Sequence, residues 1–258
     1  MTAPRTTPRS TAAACAPRPT PLSWPVVLAL HLLPGAALVS VYAVGGPLLA
    51  AAGLPPVWAL LGGVLVVLAP MEAGLLRVLR GRDRAAGRAV PALLSLGGLT
   101  RHGAIGAGVA VLAVALLLAG LALPVEDALR GLLDGVLPGW ATAGPGDLAA
   151  HPPAVRVVTL VLWLLATVVV GPLVEEAWFR GYLQPRIPAA PLPSAVIGSL
   201  LFAAYHLWQP YAVPTVSAFA LPIALLVARR GATAVGAAVH VVANAIAFGG
   251  LLAGLIVR

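Results

Sequence analysis

The chain has 258 residues, 60% of them hydrophobic and only 9% charged, and its mean hydropathy is +0.98. Soluble domains carry roughly 25% charged and about 45–50% apolar residues, so a soluble globular domain is excluded: there are too few polar groups to make a wetted surface. The 16 basic residues, all Arg, outnumber 8 acidic ones, but they punctuate apolar runs instead of forming a basic face, so they read as topology signals and not as a nucleic-acid surface. The composition predicts an all-α polytopic transmembrane bundle of about seven spans, with six to eight possible at ~20 residues each.

Residues 1–23, rich in Thr, Pro and Ala, read as a disordered basic tail carrying Arg5, Arg9 and Arg18. Cys15, the only cysteine, falls in this tail, so no internal disulfide and no cysteine-based metal site can form. Apolar runs follow at 24–44 and 56–79, the first too long for a signal-peptide core. An Arg-rich loop, 77–101, closes this part, and a third run covers 104–123. The organisation expected is N-terminal spans over 24–123, a polar acidic loop over 124–153, and a C-terminal transmembrane region over 154–258. The loop holds Glu126, Asp127, Asp134 and Asp147, with Pro124 as the expected break and a short helix at 125–137. Four further runs lie at 154–174, 193–208, 213–228 and 233–257, with Arg229 and Arg230 between the last two.

The positive-inside rule orients these runs. The tail and the 77–101 stretch belong in the cytoplasm, the acidic loop outside, and Arg180, Arg186, Arg229 and Arg230 inside again. The expectation is a multi-pass plasma-membrane protein with a cytoplasmic N-terminus, an outer C-terminus and an active site toward the cytoplasmic leaflet.

Ionisable groups cost ~2.5–3.5 kcal/mol or more at mid-bilayer, so the few polar side chains in or beside the runs carry the information. Six of them lie in the C-terminal half: Glu175, Glu176, Arg180, His206, His240 and Asn244. Glu176 and Arg180 are four apart and can pair on one helix face, whereas Glu175 points about 100° away toward other partners. Phe202 and His206 repeat the four-residue spacing, as do His240 and Asn244. Singly, each pair has a structural reading: a Glu–Arg clamp, a packed histidine, an interhelical hydrogen-bond pair. Together they place carboxylates, imidazoles and an amide on three separate spans. A carboxylate in a low-dielectric pocket can activate water, an imidazole can share that water or bind a metal, and a second His with an Asn can donate to an oxyanion. That inventory suits hydrolysis of an amide bond within the membrane. Glu72 reads as an interfacial or packing residue, with a place on the cavity wall as the lesser alternative, His31 reads as structural, and Trp140, Trp178 and Trp208 read as interfacial anchors.

Glu175-Glu176-x-x-x-Arg180, then Phe202-x-x-x-His206, then His240-x-x-x-Asn244, in this order on successive spans, resembles the CAAX prenyl protease type II and bacteriocin-processing (CPBP, or Abi) family of intramembrane proteases. The resemblance covers about 165–250. It implies an endopeptidase in which Glu175 is the water-activating base, His206 assists it or coordinates the nucleophile, and His240 and Asn244 stabilise the oxyanion. Glu176 and Arg180 would support the site, with Glu176 also able to share in catalysis, and Phe202 would back the histidine. Two mechanisms remain open at this level. Glu175, His206 and His240 match a His₂Glu set for Zn²⁺ or another divalent metal with an open fourth position, yet they come from three helices with no local chelating pair. A metal-free glutamate mechanism uses the same residues. The partners implied are the bilayer and a membrane-embedded or lipidated peptide or protein. In a bacterial setting the substrate would be a membrane peptide, in bacteriocin maturation, immunity or signalling.

Other membrane chemistries fit less well. No His-Glu-x-x-His occurs, Gly144–Asp147 matches the aspartyl Gly-x-Gly-Asp only inside the polar loop, and Ser199 with His240 lacks the glycine setting of a rhomboid-like pair. A proton- or solute-coupled transporter with Glu175, His206 and His240 as a relay is the alternative from another class, although no internal repeat is evident. A catalytically idle scaffold or immunity protein is the third.

Overall fold

The computed structural model describes residues 19–138 and 145–256. Among these, the chain forms seven helices and no strand, and six helices are long and apolar enough to cross a membrane. They are α1 (Trp24–Ala51), α2 (Val57–Ala85), α3 (Arg101–Leu133), α4 (Pro153–Arg186), the short α5 (Pro191–Ala204), α6 (Val213–Arg230) and α7 (Thr233–Ile256). The helical bundle read from composition is the fold observed. Large aliphatic side chains such as Val44, Ile105, Leu121 and Val157 face outward, as expected where lipid is the solvent.

Two helix ends differ from the sequence reading. The expected break at Pro124 is absent, and α3 continues to Leu133. A proline removes one backbone donor without ending a helix whose other bonds hold, and beyond it Glu126 and Arg130 pair across one turn at 3.2 Å. Likewise α2 runs on to Ala85, so Arg77 to Arg84 lie on helix and the irregular segment starts only afterwards.

One end of the bundle collects the arginine-rich segments. There the backbone N–H of Leu22 donates to Arg186 O at 2.9 Å, Arg186 pairs with Asp83 at 2.8 Å, and the N–H of Ala234 donates to Ser95 O at 2.9 Å. Gly97, at φ +61°, lies so close to the Arg230 carbonyl that a side chain would collide with it. The opposite end holds the α1–α2 turn, the end of α3, and the 209–212 turn. Here the Arg130 guanidinium lies 4.0 Å over the Tyr211 ring.

The core runs through the middle of the bundle and toward the arginine-rich end. It contains Leu38, Leu61, Leu68, Trp178, Phe179, Tyr182, Phe202 and Tyr205. Trp178 is therefore not an interfacial anchor: it is fully buried and stacked on Tyr182 at 5.7 Å. Trp208 packs edge-on against Tyr205 at 5.3 Å. Trp140, Gly144 and Cys15 lie outside the described residues. Gly35 of α1 lets the end of α5 approach closely, since a Cβ there would strike the Tyr205 carbonyl oxygen. This contact fixes the turn that carries the next histidine.

Candidate active site

Helix α4 widens to i→i+5 bonding over Leu164–Val170 and again over Glu176–Leu183, a distortion often found at functional positions. Glu175 sits between the two widened stretches, so its side chain and that of Glu176 are aimed separately. Glu175 accepts a hydrogen bond from the Tyr205 hydroxyl through Oε1, and its Oε2 lies 3.9 Å from His240 Nε2. Glu176 is fully buried, with Oε1 at 3.1 Å from His240 Nδ1 and 3.3 Å from Arg180. His240 thus bridges the two carboxylates. Gly236, one turn earlier on α7, makes room for this: a Cβ there would lie 3.2 Å from Glu176 Oε2 and 2.9 Å from Ile223. The Arg180 guanidinium lies 3.8 Å over the Phe202 ring.

The second motif arrives differently from the sequence reading. Helix α5 ends at Ala204, so His206 stands just past its terminus and not within the span. Its Nδ1–H donates to the Phe202 carbonyl at 2.9 Å. This satisfies one of the orphan acceptors that every helix end leaves. It also makes Nε2 the acceptor nitrogen of a neutral ring, a tautomer assigned from the bond partner. Phe202 stacks edge-on against His206 at 5.0 Å, as the four-residue spacing suggested. In the third motif Asn244 donates one amide hydrogen to Thr167 O of α4 at 2.7 Å, leaving the other for a ligand.

Glu175, His206, His240 and Asn244 line one cavity of about 440 Å³. Glu176 and Arg180 do not line it; they stand behind His240 and hold it. Ser199, weighed as a nucleophile, donates to Ala195 O of its own helix at 2.8 Å.

The donor set also bears on metal binding. Among the described residues, no group of three or more His, Cys, Asp or Glu side chains is disposed to hold a metal ion. Glu175 Oε1 is taken by Tyr205, His206 Nδ1 by the Phe202 carbonyl and His240 Nδ1 by Glu176, so the atoms of the His₂Glu set that stay open are Glu175 Oε2, His206 Nε2 and His240 Nε2.

Two residues were undervalued by sequence reasoning. Glu72 of α2 is fully buried, neither carboxylate oxygen has a hydrogen-bond partner, and it interacts electrostatically with Glu175 and Arg180. A glutamate in the middle of an otherwise apolar span was the available signal. Tyr205, between Phe202 and His206, carries a hydroxyl that only the tertiary fold brings to Glu175. His31 is buried as a packing residue, its Nδ1 bonded to Val27 O at 2.7 Å.

Residues 157–246, about a third of the chain, match the family described as Type II CAAX prenyl endopeptidase Rce1-like. No curated protein and no solved structure matches. The matched segment contains all three motifs and every motif side chain on the cavity, and the region that builds this site is accordingly similar to the Rce1-like type II CAAX prenyl endopeptidases, a protease family.

Proposed function

We propose that this protein is an intramembrane endopeptidase that hydrolyses a peptide bond of a membrane-associated peptide or protein by a glutamate-activated water. The observation that carries the reading is the convergence of Glu175, His206, His240 and Asn244 on one cavity. Glu175 Oε2 and the acceptor Nε2 of His206 can each accept a hydrogen bond from one water. Glu175 takes a proton as the water oxygen bonds to the scissile carbonyl carbon. The carbonyl π pair moves to oxygen, and the free amide hydrogen of Asn244 donates to that oxyanion. His240 donates from Nδ1 to Glu176 and turns Nε2 to the same space. The C–N bond then breaks as the proton on Glu175 passes to the leaving nitrogen. Tyr205 holds Glu175, and Glu176 with Arg180 holds His240, so these three are positioning residues.

On the arginine-rich side of the cavity α4 is buried almost continuously from Glu176 to Arg186, by Trp178, Phe179, Tyr182 and Leu183 among others. Bacteriocin maturation, immunity and signalling are all roles that such a peptidase could fill.

The test is cleavage of an apolar peptide library by purified protein in detergent, wild type beside His206→Ala and Asn244→Ala. Cleavage by wild type that falls at least about 100-fold in both variants is expected, the scale of a lost oxyanion donor or proton-transfer partner. No cleavage, together with solute flux in liposomes that depends on Glu175, would replace this reading with a transporter.

A further inference from the structure

The direction from which the cavity is reached has a consequence for the substrate. Glu175 stands eleven residues before Arg186, the arginine-rich end of α4, about 16 Å of helix. By depth the reactive groups belong to the arginine-rich half of the bundle. Their access is from the other end. The outermost residues on the cavity wall are Arg130, near the end of α3, Val57, at the start of α2, and Gln209 and Tyr211, in the turn after α5. All lie at the end opposite Leu22, Asp83, Gly97 and Arg230. The arginine-rich end is sealed by the buried stretch of α4 and by the 88–99 segment, whose Leu93 carbonyl lies 2.9 Å from the Cβ position of Gly181.

Charge assigns the two ends to the two sides of the membrane. The sealed end carries the arginines of the 77–101 stretch, Arg186, Arg229 and Arg230, against the lone Asp83. The open end carries Arg130 and Arg156 against Glu126, Asp127 and Asp134. Short loops rich in arginine stay in the cytoplasm, so the mouth faces outward.

We propose that the substrate is a peptide segment presented from the extracytoplasmic side, which enters past Arg130, Gln209 and Tyr211 and descends to Glu175. The inference rests on the peptidase reading for the word substrate, and on topology alone for the side. The walls between mouth and base are largely aromatic and aliphatic, with Trp208, Tyr211, Phe219 and Leu60 among them, so the segment that enters is apolar. Arg130 is held in place at the rim by Glu126 and the Tyr211 ring.

Single cysteines at Gln209, Thr167 and Arg229 in a Cys15→Ser background test the side, using a membrane-impermeant maleimide on intact bacterial cells. The expected result is labelling of Gln209→Cys and Thr167→Cys in intact cells, and of Arg229→Cys only after permeabilisation. The reverse pattern overturns the proposal. Because a cavity cysteine can be too enclosed to react, alkaline phosphatase and green fluorescent protein fused after Arg258 give an independent readout, since α7 ends on the mouth side. Active phosphatase with a dark fluorescent fusion is expected; inactive phosphatase with a bright one overturns the proposal. Neither readout uses cleavage. A chain with the mouth outside that cuts no peptide would sink the peptidase reading alone, and one that cuts but is inverted would sink the side alone.

Discussion

Arg180→Met is the perturbation that best tests how the buried charges are held. Methionine keeps the length of the stem against Phe202 but deletes the guanidinium, leaving Glu176 fully buried with His240 as its remaining polar neighbour at 3.1 Å. Stranding one member of a buried pair costs about 3–5 kcal/mol, and loss of the contact over the Phe202 ring adds about 0.5–2 kcal/mol. At roughly 2–4 °C per kcal/mol for a chain of this size, the summed loss lowers the unfolding midpoint in detergent by roughly 7–28 °C. Adding Glu176→Gln removes the stranded charge, and replacing both members of a buried pair is often close to neutral. The double variant should therefore regain most of the loss, with a coupling of about 3 kcal/mol or more between the two positions. The assay is thermal unfolding of the four proteins of this cycle in one detergent. Losses that simply add, with the double variant below either single one, would refute a buried pair as the element that fixes His240.

Three further outcomes are expected. Tyr205→Phe removes the hydroxyl that donates to Glu175; a hydrogen bond to a charged group is worth about 1.5–3 kcal/mol, so cleavage should drop by about 10- to 150-fold while KM stays near wild type, and an unchanged rate would show that Glu175 needs no such support. Gly35→Ala places a Cβ on the Tyr205 carbonyl, displacing the His206 turn; overpacking of this kind costs about 1–3 kcal/mol, and unfolding in detergent should report the loss together with reduced activity. Glu72→Gln keeps the shape of a side chain whose oxygens have no hydrogen-bond partner, so stability should hold or rise, whereas a loss of more than about 1 kcal/mol would mean that the carboxylate is a needed structural partner.

Much of this molecule was legible because lipid makes polar groups expensive. Scarcity brought out Glu175, His206, His240 and Asn244 together with His31, Glu72, Glu176 and Arg180, and those first four line the cavity. The Glu176–Arg180 pair followed from helix spacing and was found at 3.3 Å. What escaped the sequence depended on contacts between distant elements. Glu72 reads as an interfacial or packing residue from sequence because nothing local ties α2 to Glu175. The hydroxyl of Tyr205 and the clearance at Gly35 and Gly236 exist only once α1, α4, α5 and α7 are in register. The widened turns of α4 leave no periodic signature over so few residues. Pro124 was given too much weight as a breaker, and Trp178 was taken for an anchor because its nearness to the arginine-rich end hid that the segment over it is protein and not headgroup.

The most direct test of a glutamate-activated water is the rate of cleavage of the best library peptide by Glu175→Gln, measured beside wild-type protein that has been exhaustively stripped of metal. The account predicts that stripped wild type keeps its rate and that Glu175→Gln loses about 10²–10⁴-fold, the range of a missing general base, with its unfolding midpoint preserved. A Glu175→Gln protein that cuts at the wild-type rate, or a stripped wild type that is silent until a divalent metal is returned, would contradict it.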